Sequence, residues 1–442
     1  MLNPFNLRAN RSKSTILMTN KLQKTLLSLA CVAATWAAAP AWAQTPTVPL
    51  LDAMRQALRE YPAAASALAQ QQAAQSGVAQ AEAARYPVLS LGASATNQKG
   101  LERKSNFGPQ LNYTLFAGGA IEADIRRANA ELVGAVGRSS ESINNLAVNV
   151  AEAYFNWARA LELQQLARDN LRSHIDIRED VRIIVGVDAG RQMDLNQVAV
   201  RVSNARILLA QRDNELARAT AAMQRFLPGF NAQAPAGLDD LPMVLPQELA
   251  EALRNIDDSH PLLRQATARY EAATAQVGVA RGQTLPKVDL NVSRQYSAAT
   301  QRNEATTQVL VNMPVFSGGA GRAAVAGAVA QQSAAQLLLD EQRRVVQEGV
   351  AMSWADWTSA QTREQESAGQ ARVSLELVGM YRQQFRLARR SLLDLLNVQN
   401  EAYNFGSEAV GAKYERRLAA FKLSGAMGRL APALGFSAEV VE

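Results

Sequence analysis

Two periodicities alternate along this chain. Val288, Leu290 and Val292 alternate with Asp289, Asn291 and Ser293, the period of two that a strand with one apolar face requires. Leu111, Tyr113 and Leu115 alternate likewise with Asn112 and Thr114, and Leu89, Leu91, Ala93 and Ala95 with Ser90, Gly92, Ser94 and Thr96. Val309, Val311 and Met313 alternate more loosely with Gln308, Leu310 and Asn312. The pattern predicts four strands, at ~87–97, ~109–116, ~286–297 and ~306–316. Polar segments 98–108 and about 297–304 connect them in pairs and read as exposed loops.

Elsewhere apolar positions step by three and four. Ile143, Leu146, Val150, Tyr154, Trp157 and Leu161 form such a seam, as a packed helix needs. The helical pattern runs without internal proline over 120–184 and 320–385, helices on the order of 100 Å long at about 1.5 Å per residue. Alanine dominates between the seam positions, which allows close approach but buries little area, so these helices are expected to need neighbours from other subunits. Shorter helices are predicted over 50–59 and 63–85, broken at Pro62, and over 249–283, stopped by Pro286.

The two patterns occur twice, about 200 residues apart. Tyr61-Pro62 answers to His260-Pro261, and Tyr86-Pro87 to Leu285-Pro286. Leu115-Phe116-Ala117-Gly118-Gly119-Ala120 answers to Val315-Phe316-Ser317-Gly318-Gly319-Ala320, Tyr154 and Trp157 to Trp354 and Trp357, and Asp194-Leu195 to Asp394-Leu395. Each unit reads as helix, two strands and a long helical hairpin. Repeat 1 spans 44–230 with its tip at ~185–191; a linker at 231–248 leads to repeat 2, 249–428, with its tip at ~386–391, and a tail at 429–442.

The start of the chain sets the compartment. Lys21 and Lys24 precede an apolar run at 25–39 and then Ala41-Trp42-Ala43, which reads as a signal peptide over 1–43 with mature protein from Gln44. The run is shorter than the roughly 20 residues of a membrane-spanning helix. Removing the leader with its five basic residues lowers the net charge from +6 to about +1, so the basic pI is no argument for nucleic acid. The single cysteine, Cys31, lies in the leader, and its setting makes a lipid-anchored form the minor reading. The only histidines, His174 and His260, lack metal-type spacing, and no nucleotide-binding loop, nucleophile motif or metal cluster is present. The chain is therefore expected not to be an enzyme and to hold no cofactor. No later run approaches 18 apolar residues, which leaves a β-barrel as the membrane-crossing form. Four strands cannot close a wide barrel, so several chains would have to share one. Alternation alone also allows a soluble sheet, and helical periodicity alone a plain bundle.

These residues resemble the TolC-like outer-membrane efflux family over essentially all of the mature chain. The resemblance implies a mixed α and β membrane protein, a trimeric 12-stranded β-barrel with four strands per chain, continued by a long periplasmic α-helical barrel. It places the barrel-to-tube junction at Gly118, Gly119, Gly318 and Gly319. The run from Phe385 to Asn397, Phe-Arg-Leu-Ala-Arg-Arg-Ser-Leu-Leu-Asp-Leu-Leu-Asn, is similar to the family's tip segment. By position Asp394 falls on the first acidic residue of the pore constriction and neutral Asn397 on the second. Arg390 and Asp194 fall on the gate latch, together with Phe385, where the family commonly has a tyrosine. Without a hydroxyl, Phe385 forms no hydrogen bond to Asp194. The alternative for Asp394 is a solvated or helix-capping residue.

Physically, three Asp394 carboxylates around a narrow pore favour cations. A partly exposed Arg390–Asp194 pair contributes about 0.2–1 kcal/mol, whereas reversing a closed equilibrium takes about 5.5 kcal/mol. The pairs alone would therefore not lock the gate, and packing and a partner that binds the open form must supply the remainder. The resemblance implies a passive homotrimeric exit duct in the outer-membrane lipid, opened by a periplasmic adaptor and an inner-membrane ABC or proton-driven pump. The run from Arg390 to Leu396, followed by Asn400-Glu401, is similar to members serving type I protein secretion. Small-molecule or drug efflux is the alternative, and a soluble periplasmic coiled-coil scaffold is a reading of another class.

Overall fold

The computed structural model describes residues 47–96, 104–297 and 301–436. The signal peptide, residues 98–103 of the first predicted loop, residues 298–300 of the second and residues 437–442 of the predicted tail lie outside them. Contacts divide the chain into a small unit, in which Thr47 and Ala232–Ala234 are the described residues, and a large unit of Val48–Asn231 and Pro235–Glu442. The large unit carries everything that follows.

Its elements run α1 (Leu50–Glu60), α2 (Pro62–Ala83), β1 (Val88–Thr96), β2 (Lys104–Phe116), α3 (Ala120–Val187) and α4 (Gln192–Phe226). Then come α5 (Leu249–Arg254), α6 (Pro261–Gly282), β3 (Lys287–Ser297), β4 (Arg302–Asn312), α7 (Ala320–Arg386), α8 (Leu392–Ala426) and the short α9 (Leu430–Ala433). Pro62 and Pro261 each open a helix at a first-turn position, where a missing N–H costs nothing. The expected helix over 249–283 is two helices, because Asn255–Ser259 leaves helical geometry before His260 caps α6 through its Nδ1, which accepts from Leu262 N at 3.3 Å.

The four strands form one antiparallel sheet in the order β1-β2-β3-β4. Register separates its faces. Leu89, Leu111 and Val292 align across the sheet, as do Ala93, Phe107 and Tyr296, and Leu290 opposes Val309 while Val288 opposes Val311. The other face carries Ser90, Gln110, Ser293 and Thr306, then Asn112, Asn291 and Gln308. Apolar side chains lie open to solvent in the single chain, Leu89 at 71% and Leu91 at 74%, and β1 and β4 each leave one edge unpaired by this chain's own strands.

Three strand details differ from the expectation. β2 begins at Lys104, so residues 104–108 of the expected loop pair with β1. The last strand spans Arg302–Asn312 instead of ~306–316, because Pro314 cannot donate to a ladder. A bulge between Thr114 and Phe116 shifts the alternation, so that Phe116, not Leu115, aligns with Val288 on the apolar face.

Strand passes to helix through the diglycines. Gly118 and Gly119 have φ of 60° and 79°, Gly318 and Gly319 of 61° and 88°, and Ala120 N donates to Ala117 O at 3.0 Å to close the first turn. Two consecutive left-handed residues demand glycine. The long α3 buries Ile143, Leu146, Val150, Tyr154 and Trp157 of its predicted seam, while Leu161 at its end is half-buried. Tyr154, Phe155, Trp157, Phe230 and Phe421 make edge-on ring contacts there, and the Tyr154 hydroxyl donates to Val48 O at 2.7 Å and accepts from Ala236 N at 3.0 Å.

Candidate functional site

The two helical hairpins turn by different devices. In the first, Asp188 Oδ1 accepts from Gly190 N at 3.0 Å, and a short 3₁₀ turn, Ala189–Arg191, leads into α4. In the second, Arg389 N donates to Gln384 O at 2.9 Å and Ala388 N to Phe385 O at 3.0 Å. This is a Schellman motif with Ala388 in the left-handed position, φ 55°. Ser391 then caps α8, its Oγ accepting from Asp394 N at 3.1 Å. Asp394 therefore sits in the first helical turn, where the helix dipole favours a carboxylate. It is half-buried, and Asn397, one turn further on, is exposed.

Between the hairpins lies an apolar core of Ile177 and Val181 from α3, Val198 and Val202 from α4, Phe385 from α7, and Leu392, Leu395, Leu396 and Val398 from α8. Phe385 is 1% exposed. The arginine of the first turn reaches across this core. Arg191 Nε donates to Asp194 Oδ2 at 2.8 Å and its guanidinium lies 5.6 Å from the centre of the Phe385 ring. Asp194 and Phe385 are thus linked through Arg191, which supplies the polar contact that a phenylalanine cannot make itself.

Arg390 and Asp194 do not pair within the chain. Arg390 Nε donates to Gln384 Oε1 at 3.0 Å, and its guanidinium stacks 4.5 Å from the centre of the Tyr381 ring on its own hairpin.

The principal charged tie between the hairpins lies about two turns above the tip and involves residues that sequence reasoning passed over. Asp180 on α3 accepts from Arg382 Nε at 3.1 Å and from Arg386 Nη2 at 2.9 Å, both on α7. Arg382 Nη1 also lies 3.8 Å from Asp176. The Asp180 side chain is 17% exposed. A signal existed, since Asp176 and Asp180 are one turn apart, as are Arg382 and Arg386.

Above this clasp His174 is buried, its Nδ1 3.0 Å from Asn170 O, while Gln399 Nε2 from α8 donates to Asn170 Oδ1 at 3.4 Å. Burial pushes the imidazole pKa down from 6.5; the Asn170 carbonyl opposes this and the charge of Arg201 on α4 adds to it. Further along, Glu162 on α3 accepts from Lys413 Nζ and Tyr414 OH on α8, each at 2.7 Å. Burial, then Glu162, hold the Tyr414 phenol protonated well beyond its usual range.

Among the described residues no group of His, Cys, Asp and Glu could hold a metal ion, and no helix is long and apolar enough to cross a membrane.

Comparison with known protein families matches the outer membrane efflux protein family at residues 53–229 and again at 252–429. The Protein CyaE of Bordetella pertussis is 26% identical over 363 residues, 76% of this chain and 75% of its own length. The outer membrane efflux protein BepC of Brucella suis is 25% identical over 73% of this chain and 72% of its length. Among solved structures, CusC superposes with a TM-score of 0.76 at 19% identity, covering 86% of this chain and 91% of that one.

Proposed function

The chain belongs to the outer membrane efflux protein family, an outer-membrane channel family, and from that premise we propose that it is the exit duct of a tripartite export system. The carrying observation is the family match over both halves of a chain whose four-stranded sheet has a polar face, an apolar face and two open edges. Three chains, each pairing its β4 edge with the β1 edge of the next, would close a 12-stranded barrel with the amide-lined face inward. The α3/α4 and α7/α8 hairpins would continue it as a periplasmic tube. Passage is passive and is opened by a periplasmic adaptor docked with an inner-membrane ABC or proton-driven pump.

Asp394 forms the pore constriction in this reading, with Asn397 lining it without charge. Asp194 and Phe385 serve the latch through Arg191. Arg390, held only by its own hairpin, is free to meet a neighbouring chain or the adaptor. Gly118, Gly119, Gly318 and Gly319 are the hinge between barrel and tube.

The favoured cargo is a large unfolded polypeptide, supported by the tip run from Arg390 to Leu396 followed by Asn400-Glu401. The test is a deletion strain complemented with the full chain. Heat-modifiable trimers in the outer-membrane fraction, with loss of one large secreted polypeptide on deletion, are expected. Unchanged secretion with increased drug sensitivity replaces the cargo by small molecules, and an entirely soluble periplasmic protein overturns the duct.

A further inference from the structure

One charged side chain stands on the apolar face of the sheet. Arg294 is exposed and shares the parity of Val292 and Tyr296 on β3, the face that carries Leu89, Leu111 and Val309. Its row holds Ala305 on β4 and, further across, Leu91 opposite Pro109. The next row toward the loop end holds Ala93, Phe107 and Tyr296, and rows on one face are about 7 Å apart.

At the other end of the strands Phe116 aligns with Val288. Val288 and Tyr296 are about 27 Å apart along the strand, or about 20 Å upright at a tilt of about 40°, close to the apolar band of an outer-membrane barrel. Phe107 and Tyr296 then mark one interface and Phe116 the other, as aromatic belts do.

Arg294 lies one row inside the outer belt, within reach of it by an extended side chain. Among the described residues of the sheet none of the acidic side chains lies on its face: Asp289 faces the opposite side, accepting from Thr114 Oγ1 at 2.8 Å and lying 3.1 Å from Lys287 Nζ, and Glu304 shares that opposite parity through its register with Gln295. A guanidinium facing hydrocarbon is unfavourable unless a polar group meets it near the interface, and its fork matches a phosphate.

We propose that Arg294 is a binding site for the phosphate of an outer-leaflet lipid whose acyl chains cover Leu91, Pro109 and Val292. The proposal rests on the barrel reading above. A lipid is the occupant rather than free phosphate, because the surface beside the guanidinium is apolar and suits a chain attached to the anion.

The full chain is reconstituted into phosphatidylcholine vesicles, alone or with lipid A in its bisphosphorylated or fully dephosphorylated form. The temperature at which the trimer dissociates on a gel is then read. The bisphosphorylated lipid is expected to raise it by several degrees over the dephosphorylated one, Arg294→Gln to lose most of that rise, and Arg294→Lys to keep part of it. An unchanged rise in Arg294→Gln, or the same rise from inorganic phosphate, overturns the lipid site while leaving the barrel intact. Wild-type protein that fails to float with any vesicle overturns the barrel reading itself.

Discussion

Arg191 and Arg390 illustrate how little a side chain's charge says without its geometry. Both lie at hairpin turns, but Arg191 crosses from Asp194 to the face of Phe385 on the other hairpin, whereas Arg390 meets Gln384 and Tyr381 of its own. The Arg191–Asp194 pair is partly exposed, with 31% and 24% of the two side chains accessible, and contributes about 0.2–1 kcal/mol. The cation–ring contact adds about 0.5–1 kcal/mol. In an assembly of three chains such small terms sum to a few kcal/mol, a part of the about 5.5 kcal/mol that reversing a closed equilibrium takes. Arg191→Ala is therefore expected to raise single-channel conductance in planar bilayers more than Arg390→Ala does. Equal effects, or a larger effect at Arg390, would show that contacts between chains outweigh this intrachain link. The junction glycines separate in the same manner. Gly118 has φ of 60°, and a Cβ there would stand 2.6 Å from Gly282 O and from Leu285 Cβ; Gly318 shares the backbone strain, at φ 61°, but faces open space. Gly118→Ala should lower the yield of folded trimer well below that of Gly318→Ala, measured by heat-modifiable gel mobility.

At the scale of elements, the hairpins are held by a sequence of ties along α3: the tip core, then the Asp180 clasp, then buried His174. The last is sensitive to acid. Because its folded pKa is lowered by burial, the unfolded chain binds more protons below pH 6.5 than the folded one. Stability is then fully present above pH 6.5 and declines as the pH falls toward the folded value, by at most about 1.4 kcal/mol per unit of lowering. The protection of the α3 amides near Asn170, read as exchange relative to the intrinsic rate at each pH, should fall between pH 7 and 5, and His174→Gln should flatten that dependence; an equal acid response in the variant would assign it to other groups. The periodicities made the long helices legible to within a few residues, and Pro62 and Pro261 marked their breaks. The clasp was not legible, since charges one turn apart on a helix are ordinary on a solvated surface and only the docking of α3 against α7 makes Asp180 a shared acceptor. Arg191 escaped for a related reason, since its partner Phe385 is remote in sequence and its role depends on a turn whose path the residue types alone leave open. The bulge that brings Phe116 into the apolar row inserts one residue into a regular alternation, which no period-two reading detects.

For the whole molecule the question is which face of the sheet meets lipid. A single chain leaves Val309 60% exposed and does not pair the outer edges of β1 and β4 with its own strands, so the proposed duct requires other copies and the membrane to cover them. Adjacent positions on β4 discriminate the faces, because Val309 aligns with Leu290 and Gln308 with Asn291. If the apolar face meets hydrocarbon, Val309→Arg costs about 2–4 kcal/mol in each chain, and three copies carry a burden near or beyond the stability of an ordinary domain. Trimers of that variant should be scarce in the outer-membrane fraction. Gln308→Arg places the same charge in a wet lumen, where it is solvated; trimers should persist at near wild-type levels, and reversal potentials in asymmetric KCl should move toward anion preference. The opposite pattern, with Gln308→Arg abolishing assembly and Val309→Arg tolerated, would require the sheet to be turned inside out. Equal tolerance of both would mean that neither face contacts lipid, which is the behaviour of a soluble sheet. Comparing neighbouring residues on one strand keeps helix packing and export constant, so the outcome reports on the membrane alone.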